Sequence, residues 1–309
     1  MSIFDSKPNI SKMVGDSDVE NLAHLVEFGN PSFERDKNRR REAVDALGSL
    51  TDQRAIAPLE GALQDENGRV RVSAVSALER HKAFDSLFTA LHSKDNEVRR
   101  AAAEALGQLG TPSAVLPLIS VLRDQDWHVR FAVACALKQL NDLRSLDPFI
   151  HALGDESSDV RRAAAEALGQ LKNPRAVQPL IRALYAENSD VRRAAAEALG
   201  QLRNSRAVQP LIEALSDSYK NVRQAAAVAL GEINNAQAVE PLIKALGDPY
   251  PEVREAAALA LGQLGDPRAV DALSEALQDA DQRVQKAAEC ALQEITEKNR
   301  PVARAITIT

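Results

Sequence analysis

Aromatic residues supply only 4% of this 309-residue chain, with a single Trp, and cysteine and methionine occur twice each. So few rings exclude a core of large interlocking side chains, and the 45% apolar content has to come mainly from Ala, Leu and Val. Two cysteines are too few for a disulfide framework. Cys135 and Cys290 occupy one repeat position five repeats apart. At about 8–10 Å per helix layer they lie far beyond the roughly 7 Å that a bridge spans, so both stay as thiols, as in a reducing compartment. No apolar run approaches the roughly eighteen residues of a membrane span, so no membrane partner is expected. Met1–Ile10 carries Asp5, Lys7 and Pro8 and lacks the apolar run of an export signal, which gives a cytoplasmic expectation. Positive charge is also short: the net charge is −6, which argues against holding a nucleic-acid backbone as the main task. Cys-x-x-Cys, His-x-x-x-His and Gly-rich phosphate loops are all missing, so no catalytic residue, metal or cofactor is expected.

What the chain has instead is one phrase, Val-Arg-Arg-Ala-Ala-Ala-Glu-Ala-Leu-Gly-Gln-Leu, letter for letter at Val98–Leu109, Val160–Leu171 and Val191–Leu202. Looser copies begin at Arg39, Val70, Val129, Val222, Val253 and Val284, spaced by 31 residues except for one step of 28. A period in that range marks an array of units too small to bury a core alone. With the leading residue as position 0, apolar positions 0, 3, 4, 7, 8 and 11 share one helical stripe. Position 7 is Ala and position 8 is Leu in all nine copies. Gly at position 9 of six copies costs about 1 kcal/mol of helix propensity, which points to close backbone contact or an approaching C-cap.

Each unit begins with another helix. Asn173-Pro174-Arg175-Ala176-Val177 shows its start, with Asn at the N-cap and Pro at the first helical position. A second proline recurs at Pro58, Pro117, Pro148, Pro179, Pro210 and Pro241, where a kink is expected. Between Leu78 and Leu87 the linker is three residues short and reads Glu79-Arg80-His81-Lys82 in place of Gly and Pro, predicting a change of pitch.

Asp266-Pro267-Arg268-Ala269-Val270 followed by Val284, and the same pattern in earlier repeats, resembles the HEAT-like repeat of phycobilisome lyases and their bacterial and archaeal relatives, over about residues 12–298. The resemblance implies an all-α fold, a right-handed α-solenoid of about nine two-helix repeats, with the second helices lining a concave face. It does not imply one activity, since relatives include lyase subunits, metal-dependent hydroxylases, DNA-repair glycosylases and scaffolds. The hydroxylases place His-Glu pairs in several repeats. Here His24, His81, His92, His128 and His151 are each followed by another residue, so that activity is rejected.

The expected organisation is an N-terminal arm over 1–11, one repeat array over 12–298 and a C-terminal tail over 299–309. The first helix spans Asp18–Phe28, burying Leu22, Leu25 and Val26, and a loop over Gly29–Asp36 precedes the helix at Arg39.

Function in a repeat array is sought where the repeat departs from itself. An arginine column at position 1, Arg40 to Arg254, recurs too regularly for ligand contact and reads as a structural ladder to acids such as Asp159, Asp190 or Glu252. At position 2, Arg100, Arg162 and Arg193 precede Glu104, Glu166 and Glu197 by four and neutralise them. Positions 2, 6 and 10 lie opposite the buried stripe and should face the concavity. The fourth repeat reads Phe131 and Cys135 there, after Trp127 and His128, an apolar stripe at i, i+4, i+8. Val228 and Leu259 at position 6 make a second apolar area, with Tyr219 and Tyr250 in the turns before. Exposed apolar patches rimmed by charge mark interaction sites; the plain alternative is that Trp127 and Phe131 fold onto a neighbouring layer.

The resulting expectation is a scaffold, not an enzyme, that binds another protein or an extended peptide through Arg100, Trp127, His128, Phe131, Cys135, Arg162 and Glu166, with Val228, Glu232 and Leu259 as a second contact. A bilin lyase or chromophore-handling subunit is the alternative that the resemblance supports. Nucleic-acid binding is a third reading, which the acidic balance disfavours.

Overall fold

A computed structural model describes residues 9–27 and 34–299, with the backbone alone for residues 34–36. The expected arm over 1–11 and tail over 299–309 therefore lie almost wholly outside the described residues. Among the described residues every regular element is helical, and none is long and apolar enough to cross a membrane. The chain forms two compact units, residues 1–148 and 149–309.

In the N-terminal unit a short helix, Ile10–Gly15, precedes Val19–Glu27, which buries Leu22 and Val26 while Leu25 is half-buried. The next helix runs Glu34–Ser49, beginning five residues before Arg39. Glu34–Asp36 are thus helical where a loop was expected. No Gly or Pro interrupts residues 34–47, so nothing in the sequence stops the helix from starting there. This helix packs on Gly68–Arg80, that on Asn96–Leu109, and that on Trp127–Leu140. In the C-terminal unit, Ser158–Leu171, Ser189–Leu202, Lys220–Ile233, Pro251–Leu264 and Gln282–Lys298 stack in the same succession. Shorter helices, such as Val208–Ala214 and Val239–Ala245, back them from one side.

Because a second helix inside a stack is covered by two neighbours and its own first helix, its buried stripe is wider than an isolated amphipathic pattern suggests. In Ser189–Leu202 positions 0, 3, 4, 5, 7, 8 and 9 are all buried, and Leu202 at position 11 is only half-buried. The position-9 glycines mark the closest approach. A Cβ on Gly200 would lie 2.9 Å from Ala229 Cα, and one on Gly107 would lie 2.9 Å from Ala136 Cα. Gly at position 9 therefore meets Ala at position 7 of the following repeat.

The first helices are built in two pieces. A three-residue 3-10 turn, such as Pro174–Ala176, leads into a seven-residue α-helix, here Val177–Ala183. The break precedes the recurrent proline, so Pro179 falls in the first α-turn, where a missing N–H costs little. The expected mid-helix kink is replaced by this junction. The missing three residues before Leu87 remove the 3-10 turn: only Ala83 separates Phe84–Ala90 from the turn at His81 and Lys82, with Lys82 at φ 53°.

Candidate functional site

The arginine at position 1 of the first eight repeats sits at the end of its layer where the second helix begins. Arg223 places Nε 2.6 Å and Nη2 2.9 Å from the two carboxylate oxygens of Asp248, in the turn of the next repeat. Its third nitrogen donates to the Asp217 carbonyl of its own turn at 2.8 Å. Arg40–Asp65, Arg99–Asp124, Arg192–Asp217 and Arg254–Asp279 repeat the bidentate contact, and Arg71 reaches Asp95. The ladder exists, but its acids are these turn aspartates, five residues before position 0 in all but the Asp95 rung. Asp159 and Asp190 instead meet Arg162 and Arg193 one turn along their own helix, and Glu252 meets Lys220. These three acids stand one residue before position 0, whereas the forks close on the aspartate five residues before it. Burial pushes the Asp248 carboxyl up, but bonds from Arg223 and the Tyr250 N–H outweigh it and hold it below the usual carboxylate range.

Along the second helices, positions 2 and 6 face away from the buried stripe, whereas the side chain at position 10, as in Gln201, Glu232 and Gln263, turns back towards the position-9 glycine of the preceding layer. Trp127 is 41% exposed and stacks on His128, ring centroids 3.7 Å apart, while His128 Nδ1 lies 3.2 Å from Asp126. Phe131 and Cys135 on the same helix are half-buried, so exposure falls along the stripe. Arg100, in the same unit, contacts Glu97 and Glu104 at 2.7 Å each. In the C-terminal unit Arg162 lies 3.1 Å from both Asp159 and Glu166. Burial works against the Arg162 charge, and the bonds from Asp159 and Glu166 more than restore it.

Val228 and Leu259 are 44% and 42% exposed at position 6 of successive layers. Cys290, exposed at position 6 of the last repeat, extends the row to three layers. Sequence reasoning treated Cys290 only as a thiol; reading position 6 down all repeats would have found it. Asp45, Glu104, Glu166 and Glu197 hold that position in four of the six earlier repeats, with Ser76 in the second and Cys135 in the fourth, so the last three repeats carry apolar residues in succession where acids predominate earlier. Tyr219 and Tyr250 are exposed at the helix starts, with the Arg192 guanidinium 5.5 Å from the Tyr219 ring and Lys220 Nζ 5.0 Å from the Tyr250 ring. Glu232 belongs less to this surface, because its carboxylate lies against Gly200 between layers and burial pushes its pKa up. Among the described residues no group of three His, Cys, Asp or Glu side chains could hold a metal ion.

Profiles of HEAT repeats match residues 84–162, 146–230 and 208–293, and a PBS lyase HEAT-like repeat matches residues 39–65. A HEAT repeat-containing taxis protein of Halobacterium salinarum is 29% identical over 134 residues, covering 36% of this chain and 32% of that protein. The chain thus spans about a third of that relative's length. A chain of the structure reporting Kap95p binding to RanGDP superposes with TM-score 0.70 at 14% identity, over 96% of this chain and 47% of that one. An engineered protein superposes with TM-score 0.55 at 22% identity, over 93% and 90% of the two chains. At these identities the structural likenesses carry the fold alone, and that fold is an α-solenoid.

Proposed function

We infer that this chain, which belongs to the HEAT-repeat family, is a non-catalytic scaffold that binds another protein, or an extended peptide, along the exposed stripe of its second helices. The observation that carries this reading is the row Val228, Leu259 and Cys290. Three successive layers present apolar side chains to solvent at a position where four of the six earlier layers present an acid. The repeat folds with an acid at that position, so folding does not require the exchange; covering by a partner accounts for it. Trp127, with His128, Phe131 and Cys135, supplies a second contact area in the N-terminal unit, tryptophan being one of the residues enriched in binding hot spots. Arg100, Arg162 and Glu166 serve as a polar rim, since their charges are already matched within their own helices.

The test restores the repeat's own residue. Val228→Glu/Leu259→Glu keeps a sequence that the array already tolerates at Glu166 and Glu197. Burying the exposed halves of both side chains is worth about 2–3 kcal/mol in total, so the variant should weaken partner capture by about 30- to 150-fold. Trp127→Ala should weaken it through the other contact area. Captured proteins are compared by mass spectrometry between wild type and each variant, with circular dichroism confirming unchanged helix content. A partner that both variants retain at wild-type affinity would overturn the reading.

A further inference from the structure

The arginine ladder has one rung without its acid. Five residues before position 0, where Asp217 and Asp248 stand in the next two repeats, the sixth repeat has Ala186. The arginine facing that position is Arg161. It is oriented as its neighbours are, donating through Nη1 to the carbonyls of Asp155 at 2.7 Å and Glu156 at 2.9 Å. Among the described residues these are its only hydrogen bonds, so Nε and Nη2, the pair that grips a carboxylate elsewhere in the ladder, are unused.

A third donor is also released. Each turn aspartate accepts the backbone N–H two residues on: Tyr219 N–H to Asp217 at 2.8 Å, Tyr250 N–H to Asp248 at 2.9 Å and Asp281 N–H to Asp279 at 2.8 Å. The equivalent donor in the sixth repeat is the Asn188 N–H, and Ala186 has no oxygen to offer it. Asn188 instead uses its side chain to cap the N–H groups of Asp190 and Val191. Arg161, Ala186 and Asn188 are all half-buried, so the position is open to solvent on one side.

We propose that Arg161 and the Asn188 amide form a binding site for one carboxylate of a polypeptide partner, entering where the other repeats place their own aspartate. Ala differs from Asp by one carboxyl group, so the space freed is that of a carboxylate. The flat fork of guanidinium Nε and Nη2 matches its two oxygens. A doubly charged phosphate fits less well, with one arginine and a net charge of −6 on the chain. The carboxylate comes from an acidic side chain or from a C-terminus. This site is separate from the apolar row and does not depend on it.

The test follows the Arg161 Nε–H and Asn188 N–H resonances of the full chain by NMR, with Arg161→Lys assigning the former. Sodium acetate is titrated against sodium chloride at equal ionic strength. Two short peptides follow, one with an internal Asp and an amidated end, the other without acidic side chains but with a free C-terminal carboxylate. Acetate and at least one peptide should shift both resonances saturably, and the peptide that does so identifies the source. Ala186→Asp should abolish these shifts, because it supplies the missing carboxylate from within the chain as the neighbouring repeats do. The same response to acetate and chloride, shifts with acetate but neither peptide, or shifts that persist in Ala186→Asp would each overturn the proposal.

Discussion

The approach of successive second helices makes a sharp demand at Gly200, and a single methyl group tests it. An added Cβ would sit 2.9 Å from Ala229 Cα and 3.0 Å from Ala229 Cβ, and it would also meet the Glu232 carboxylate. The carboxylate can swing aside, but Ala229 belongs to the neighbouring helix and is almost fully buried. Gly200→Ala gains up to about 1 kcal/mol of helix propensity, whereas forcing a methyl group into a packed contact costs about 1–3 kcal/mol. The expected balance is a loss of about 0–2 kcal/mol. Gly61→Ala is the control: Gly61 lies in the helix Ile56–Ala62 with nothing within 4 Å of its added Cβ. Near that helix end it should gain about 0.5 kcal/mol. The two variants are compared by urea unfolding of the whole chain. Hydrogen exchange over 189–202 and 220–233 reads the local effect, because repeat arrays open in parts. Adding Ala229→Gly to Gly200→Ala should recover more than the sum of the single effects, with a coupling of about 0.5–3 kcal/mol. Equal stabilisation by Gly200→Ala and Gly61→Ala would refute the close approach.

Acid should loosen the ladder. Asp124, Asp217 and Asp248 are pushed up by burial but pulled further down by arginine and backbone bonds, and Asp279 is lowered chiefly by its Arg254 bond. A depressed folded-state pKa adds stability that is complete above the unfolded value near 4 and disappears as pH falls below it. The urea midpoint should therefore fall steeply below about pH 4, and a midpoint independent of pH through that window would contradict the assignment. Arg223→Ala leaves Asp248, 9% exposed, without its bidentate partner; a loss of about 3 kcal/mol is expected in denaturant unfolding. The residues that end the second helices supply another test: Lys172 and Arg203 hold left-handed backbones at φ 49° and 48°, where Gly110 and Gly265 stand in other repeats. Replacing either by Gly should raise the thermal midpoint, by up to about 1 kcal/mol of net relief, while Gly110→Ala should lower it by a similar amount.

The sequence by itself determined the repeat, its period, the helix pairs and the small-residue seam, because each follows from one phrase recurring in register. Ala at position 7 and Gly at position 9 could be read as a close contact with no knowledge of the partner helix. The exposed apolar residues Val228 and Leu259 were legible too, since they stand at a position that is acidic in four of the six preceding copies. The tertiary structure decided which atoms meet between layers. Arg223 reaches Asp248, 25 residues on, and not the nearer acids, because stacking rather than sequence distance sets what its fork can touch. It also decided that the recurrent proline follows a 3-10 turn, and that Glu232 turns in against Gly200. The unused fork of Arg161 needed both. The alanine at position 186 is visible in the sequence, but only the stacked neighbours show that an aspartate there would be gripped by the arginine of the preceding layer.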